Sequence, residues 1–360
     1  MLVSRPVNAP ASKSMRPVII WLITGCVMIA CMVVIGGITR LTESGLSITE
    51  WKPISGAIPP MNDAAWQAEF EAYKRIPEYS LMNADMDLPG FKRIYFWEYL
   101  HRNWGRLMGL VFAIPFVVFW RQGRLKGWLM KRTLWILLGG AVVASLGWFM
   151  VKSGLVDQKD SNGQLLVDVS HFRLAIHLVA ALFVLALALW TVFDLRDARR
   201  AFVSNGSAPG KWLRVALVLL ALQVIWGAFT AGLNAGSIYN SWPLMNGAFM
   251  PENATAFGSF WKDFADHKDG VQFVHRNLAW LVAAVIVGVA IHYRRHAQMR
   301  NVWLWLVATV CVQFALGVFA LLTSVRIELG VLHQLGAVVL LAVLVKALHA
   351  TGRRTPATSA

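Results

Sequence analysis

The sequence predicts an all-α integral membrane protein, with eight transmembrane helices arranged as two pseudo-symmetric four-helix bundles. Composition is the first reason, because 57% of the 360 residues are hydrophobic, only 15% are charged, and the mean hydropathy is +0.54. A soluble domain of this length is less apolar. The second reason is the number of apolar stretches near the roughly 20 residues that cross a bilayer as a helix. The third is that landmarks in the first half of the chain recur in the second.

Eight apolar stretches qualify as transmembrane spans, and each ends where polar residues begin. None shows the alternating short-strand pattern of an outer-membrane barrel. The predicted spans are roughly 18–40, 103–120, 133–152, 173–193, 212–233, 274–293, 302–323 and 330–349.

The formal net charge of +15 follows membrane topology and does not indicate a nucleic-acid partner. Basic residues fill the short loops 121–132 and 292–301, which contain no acidic residue. By the positive-inside rule, these loops and the two tails (1–17 and 351–360) are cytoplasmic. We therefore expect a multi-pass protein of a bacterial inner (cell) membrane, in contact with the lipid bilayer.

The chain contains an internal repeat. The end of the first span, GGITRLTESGLSITEWKP (36–53), resembles the end of the fifth, GAFTAGLNAGSIYNSWPL (227–244). Because each repeat has four spans, the two copies share one orientation and are related by a pseudo-twofold axis along the membrane normal. The predicted units are 18–200 and 201–350. The pairs that match at a constant offset of 191 are Gly36 and Gly227, Thr39 and Thr230, Gly45 and Gly236, and Trp51 and Trp242.

Four histidines occupy matching places in the repeat. His101 and His275 lie in HRNWG and HRNLA contexts, while His177 and His333 open the apolar runs of the fourth and eighth spans. The topology places all four near the outer (periplasmic) ends of even-numbered spans. Imidazole is the usual haem-iron ligand, and two facing helices with one histidine each can hold a haem. Two separate pairs suit two irons better than one zinc ion, which needs ligands that converge on one point.

The surroundings of the two pairs differ at one carboxylate. Glu98 stands three residues before His101, and Gln272 stands three residues before His275. That spacing puts Glu98 on the same helix face as His101. A carboxylate there is suited to moving protons or stabilising positive charge. Stabilisation of the helix N-terminus or pairing with an arginine is the structural alternative.

Arginines near the histidines are candidate ligands for haem propionates. Arg102 and Arg276 directly follow His101 and His275, and each is equally well explained as an interfacial anchor. Arg40 is a further candidate in the first half, because the repeat places Ala231 at its equivalent position. The outer loops of the first half are also longer, which suits a lid over an exchanging ligand.

Several strings closely resemble the haem A synthase family of proteobacterial and mitochondrial type. They are GGITRLTESGLSITEWKPISGAIPP, FWEYLHRNWGRLMG, RLAIHL, HRNLAW and LHQLGA, in the family's order, and the resemblance extends from about residue 18 to 350. It implies oxidation of the C8 methyl of haem O to the formyl group of haem A, which cytochrome c oxidase needs.

The resemblance also implies roles for the candidate residues. His101 and His177 are the expected ligands of the substrate haem iron in unit 18–200, with Glu98 as the catalytic carboxylate. His275 and His333 are the expected axial ligands of a haem b (iron protoporphyrin IX) cofactor in unit 201–350. One departure is the cysteine pair that some members carry in an outer loop. The three cysteines here lie within spans: Cys26, Cys31 and Cys311.

We expect two successive hydroxylations of one methyl group, followed by loss of water to give the aldehyde. Either dioxygen or water is open as the oxygen source. A di-haem electron-transfer cytochrome and a haem transporter or chaperone use the same histidines, but neither needs Glu98. Expected partners are the haem O substrate, the haem A product, haem O synthase, an electron donor and oxidase assembly factors. A homo-oligomer is compatible with the small-residue face at Gly36 and Gly37.

Overall fold

The computed structural model describes residues 14–155, 158–159, 165–166, 168–197 and 207–352. Most of the two tails assigned to the cytoplasm, and the boundary between the two predicted units near residue 200, lie outside the described residues.

The described chain is helical, and eight of its helices are long and apolar enough to cross a membrane, as predicted. Only α2, α3 and α8 below are too short to do so. In chain order the helices are α1 (Arg16–Leu41), α2 (Asp63–Tyr73), α3 (Pro77–Met82), α4 (Leu88–Arg121), α5 (Gly127–Gly154), α6 (His171–Arg196), α7 (Ala208–Gly232), α8 (Phe260–Ala265), α9 (Lys268–His292), α10 (Trp303–Leu322) and α11 (Ile327–Ala350).

Short elements occupy the connections. Single 3-10 turns occur at Ser55–Ala57, Ala235–Ser237 and Glu252–Thr255. The strands β1 (Gln158–Lys159) and β2 (Leu165–Leu166) pair antiparallel, so the longer second outer connection of the first half contains a small hairpin.

The second transmembrane helix begins well before the predicted residue 103. Helix α4 starts at Leu88, where the Asp87 carboxylate accepts a hydrogen bond from the backbone N–H of Gly90 and a proline lies in the first turn. Its 34 residues make a rod of about 50 Å, longer than a hydrocarbon core of about 30 Å. Hydropathy missed the extension because its apolar side chains alternate with polar ones. His101 therefore lies in mid-helix, although it still opens the apolar run.

Packing against an outer aromatic cluster explains why this extension is ordered. Helices α2 and α3 fold onto it and bury apolar side chains in the contact. The outer aromatic cluster consists of Leu46, Phe70, Tyr73, Ile76, Phe91 and Tyr95.

The two halves pack by the same scheme. Helix α1 contacts α4 as α7 contacts α9, and α5 contacts α6 as α10 contacts α11. Helices α1, α6, α7 and α11 form the centre of the molecule and bury its largest apolar core, while α4, α5, α9 and α10 lie at the periphery. The same helix pairs are therefore in contact in both halves, which is consistent with the predicted pseudo-twofold relation.

Candidate functional site

Each of the four histidines lies against a glycine of the neighbouring helix. A Cβ atom on any of these glycines would come within about 3 Å of an imidazole atom, closer than nine in ten real Cβ contacts. The absence of a side chain on these glycines therefore makes room for the imidazole rings, and we call each such glycine a glycine cradle. The distances from such a Cβ to the nearest ring atom are 3.1 Å for Gly36 and His101, 3.0 Å for Gly147 and His177, 3.1 Å for Gly227 and His275, and 2.8 Å for Gly317 and His333.

His275 and His333 face each other across the second half. Their ring centroids are 6.4 Å apart and their ring planes are nearly perpendicular, at 87°. Two imidazoles that each place a nitrogen about 2 Å from one shared metal have centroids about 6 Å apart. The described residues hold no group of three or more His, Cys, Asp or Glu side chains suited to a metal. The pair fits an iron that brings its remaining ligands in its own macrocycle.

The first-half pair is built on the same plan. His101 and His177 lie within electrostatic reach of each other, between α4 and α6. The Nδ1 atom of His177 is 3.1 Å from the backbone carbonyl of Val143 on α5. That contact points the opposite ring nitrogen away from α5, so the structure brings together the two histidines that the sequence paired.

Glutamine side chains contact both histidines of the second half, and sequence analysis missed them. The Gln223 amide lies 3.1 Å from Nδ1 of His275, and the Gln313 amide lies 3.2 Å from Nδ1 of His333. Each glutamine stands four residues before the glycine that cradles its histidine, in QVIWG and QFALG. A polar residue inside an apolar span, repeated at that spacing, is the signal that was available.

Glu98 is buried at the centre of a hydrogen-bond network, one helical turn before His101 on α4. Its carboxylate accepts bonds from the Ser47 hydroxyl (2.8 Å) and the Ile48 backbone N–H (2.7 Å). Arg102, one turn along α4, donates from Nε at 3.0 Å and from Nη2. Only 2% of Glu98 is exposed, so these donors compensate for the charge of an otherwise buried carboxylate.

Gln272 occupies the equivalent place in the second half with fewer partners. Its Nε2 donates to the Tyr239 carbonyl at 3.3 Å, and its Oε1 has no hydrogen-bond partner among the described residues. Tyr239 is the repeat partner of Ile48 at the offset of 191. Equivalent backbone positions therefore hydrogen-bond to a carboxylate in the first half and to an amide in the second.

The candidate arginines hold the outer loops against the helices. Arg102 donates to the carbonyls of Ile48 and Glu50, and Arg276 donates to the carbonyl of Ser241, the repeat partner of Glu50. Both side chains therefore anchor the loop in the same manner. Arg276 differs because its Nη1 is buried without a hydrogen-bond partner among the described residues.

Arg40 bridges the two halves. Its guanidinium donates to the carbonyl of Ala231 at 2.9 Å and to Asn234, both at the end of α7, and lies 3.4 Å from the Asp168 carboxylate. The buried Nε atom has no hydrogen-bond partner in the described part of the chain. All of these contacts are made by Nη2, which therefore ties the two halves together.

His171, six residues before His177 at the start of α6, lies apart from the pairs. Its Nε2 is 3.0 Å from the Ala265 carbonyl and 3.3 Å from Asp266, at the end of α8. The small-residue face of α1 is also used within the chain, since Gly36 packs on His101 and Gly37 packs on Gln334 of α11.

Fold and site together define a polytopic helical membrane protein with two separate pairs of facing histidines, one of them beside a buried carboxylate. Residues 19–345 match the cytochrome oxidase assembly protein family, and the chain belongs to that family.

Relatives match the chain over nearly its whole length. Haem A synthase of Rhodospirillum centenum is 43% identical over 351 residues, covering 96% of this chain and 91% of the relative. The haem A synthase of Flavobacterium johnsoniae is 45% identical over 94% of this chain and 98% of the relative. That of Paracoccus denitrificans is 42% identical over 92% and 86%.

Proposed function

We propose that this protein oxidises the C8 methyl group of haem O to the formyl group of haem A, for cytochrome c oxidase biogenesis. The observation that carries the proposal is the buried carboxylate of Glu98, one helical turn from His101, where the other half has Gln272. The imidazole pair with an ionisable neighbour suits a substrate site. The pair without one suits a permanently held cofactor. The names of the relatives support the same activity.

The first-half pair is the proposed substrate site. His101 and His177 bind the iron of haem O, and Arg40 and Arg102 lie on its outer side as candidate partners for the propionates. Both arginines already donate hydrogen bonds to backbone carbonyls. Binding of the haem propionates would therefore compete with these bonds. Exchange of those bonds is a physical route by which haem entry would loosen the outer loop.

The second-half pair is the proposed cofactor site, where His275 and His333 would hold the iron of haem b. The fit rests on the 6.4 Å separation of the rings and on the glycine cradles. The unpaired Nη1 of Arg276 is available for a propionate oxygen. Bound there, haem b supplies a one-electron redox centre.

Glu98 is the proposed proton-handling residue. Two successive hydroxylations of the methyl carbon give a geminal diol, and loss of water from that diol leaves the formyl group. With dioxygen as the oxygen source, each hydroxylation takes up two electrons from the expected electron donor and two protons, and releases one water. With water as the source, each hydroxylation gives up two electrons and two protons to an electron acceptor. Protons move in both cases, and a buried carboxylate with fixed donors is able to relay them. Arg102 holds Glu98 in place and links it to the loop at Ile48, towards the outer surface.

We further propose the orientation predicted from the loops, with both termini cytoplasmic and both haem sites towards the periplasmic face of the inner membrane. The acid-free loops 121–132 and 292–301 support it, because they lie at the helix ends opposite to the histidines.

The substitution Glu98→Gln tests the catalytic proposal. The amide preserves the shape of the side chain but does not accept a proton, so we expect haem A formation to fall by about 10²-fold or more. The protein is expressed with a haem O source, and its extracted haems are separated and quantified. Haem B and haem O should still co-purify with the variant.

The exposed carboxylate of Glu50, in the same loop, provides the comparison: Glu50→Gln should leave haem A output unchanged. Normal output from Glu98→Gln would remove the catalytic role. Extracts of the unmodified protein that contain haem B alone, with no hydroxylated or formyl product, would remove the synthase proposal itself and favour an electron-transfer cytochrome.

A further inference from the structure

The two halves hold their histidines by different second contacts. In the second half, an amide side chain lies beside the Nδ1 atom of each histidine: Gln223 at 3.1 Å from His275 and Gln313 at 3.2 Å from His333. In the first half, the polar contact of His177 among the described residues is with the backbone carbonyl of Val143. The difference is confined to the pair proposed to hold haem b.

The repeat supplies the equivalent residue at each position. The cradling glycines Gly227 and Gly317 correspond to Gly36 and Gly147. Four residues earlier, Gln223 therefore corresponds to Met32, and Gln313 corresponds to Val143. At both positions the second half has a polar amide where the first half has an apolar side chain.

Two buried amide oxygens of the second half need hydrogen-bond donors. The Oε1 atoms of Gln223 and Gln313 are buried and have no hydrogen-bond partner among the described residues. A histidine that binds iron through one ring nitrogen carries a proton on the other, and that proton needs an acceptor. Turning a terminal amide by half a rotation exchanges its oxygen and nitrogen, which share one shape. At Gln313 the turn gives the orphaned oxygen the Nδ1 proton as its donor. At Gln223 it does the same, in exchange for the bond that Nε2 donates to the His275 backbone carbonyl at 3.1 Å.

We propose that Gln223 and Gln313 are positioning residues of the second-half site, whose amide oxygens accept the Nδ1 protons of His275 and His333 when these bind haem b. This inference rests on the proposed function. The bonds fix the orientation of both rings. They also make the imidazoles stronger donors, which favours the oxidised iron and lowers its reduction potential. The first half omits them, as suits a site from which the haem must leave.

The test replaces each glutamine with its repeat partner and measures the haem b reduction potential by redox titration of the full-length protein. We expect Gln223→Met and Gln313→Val each to raise the potential, with about a tenfold change in the one-electron equilibrium, equivalent to about 59 mV. Haem retention should fall by about 10–100-fold. Gln313→Glu places an anionic acceptor at the same position, so it should lower the potential.

This reversal of sign separates a hydrogen-bonding role from simple loss of packing, and Gln313→Glu remains informative if Gln313→Val does not fold. Thr309→Val removes another polar group from α10, one turn before Gln313, where the hydroxyl donates to the Trp305 carbonyl, and should leave the potential unchanged. Potentials that are the same in the glutamine variants and the unmodified protein would overturn this inference alone. Haem b spectra that persist unchanged in His275→Ala and His333→Ala would overturn the proposed cofactor site, and this inference with it.

Discussion

Single residues give the two halves different chemistry at equivalent positions. Glu98 and Gln272 each precede a histidine by three residues, and each bonds to the backbone of one member of a repeat pair, Ile48 or Tyr239. The backbone is therefore shared, and only the carboxylate provides a group able to exchange a proton. The sequence sufficed to find this difference, because both residues lie at a fixed spacing from a histidine.

A second buried carboxylate, Glu78, makes the outer aromatic cluster sensitive to pH. Burial is the main reason that its pKa is raised to about 8, and the nearby carboxylates of Glu98, Glu43 and Asp168 add to the effect. The Tyr73 hydroxyl, which donates to Glu78 at 2.9 Å, acts in the opposite direction.

Because the folded-state pKa is raised, protonated Glu78 stabilises the cluster below its unfolded pKa of about 4.5, and this stability is lost as pH rises through about 8. A shift of that size corresponds to roughly 5 kcal/mol at most. Protection factors of residues 63–82, which correct hydrogen exchange for its intrinsic acceleration by base, should therefore fall between about pH 4.5 and 8, and Glu78→Gln should abolish the fall. Glu71→Gln, at an exposed position, should retain it. Equal pH profiles for Glu78→Gln and the unmodified protein would contradict this explanation.

Helices set the space available at each histidine. Hydropathy was enough to predict all eight spans, because a bilayer demands long apolar runs. It did not predict that α4 begins at Leu88, because that extension is stabilised by packing on loop helices and not by lipid. Gln223 and Gln313 were also missed, because their sequence signal, the shared spacing of four residues before a glycine, does not by itself identify a histidine partner.

The glycine cradles predict a selective effect of alanine within one helix. In α5, a Cβ on Gly147 would lie 3.0 Å from the His177 ring, whereas a Cβ on Gly140 would meet nothing within 4 Å. Gly147→Ala should displace the imidazole and weaken haem O retention by the first half, and Gly140→Ala should be neutral or slightly stabilising, by up to about 1 kcal/mol. Bound haem O per protein and the thermal midpoint measure the two effects. Equal haem content in both variants would show that the cradle does not position His177.

The whole molecule is held together by its central helices and, at the end opposite to the histidine pairs, by a buried charge cluster. Asp194 of α6 accepts from Arg132 of α5 at 3.1 Å and lies 2.9 Å from Nε2 of His349 on α11. Asp194 and His349 are each only 1% exposed. The cluster therefore joins a helix of the first half to the last helix of the second, far from the proposed chemistry.

Removal of the central charge should loosen the contact between the halves without changing either haem site directly. Asp194→Asn retains the shape of the side chain but leaves the Arg132 guanidinium without its buried counter-ion, which costs about 3–5 kcal/mol when such a pair is broken. We expect a lower thermal midpoint in detergent, with an unchanged haem b spectrum at temperatures below unfolding. Glu328→Gln breaks the exposed pair with Arg326 and should cost less than about 1 kcal/mol. If the two variants unfold at the same temperature, the inner cluster does not hold the halves together. The Arg40 bridge and the packing of α1 and α6 against α7 and α11 must then do so.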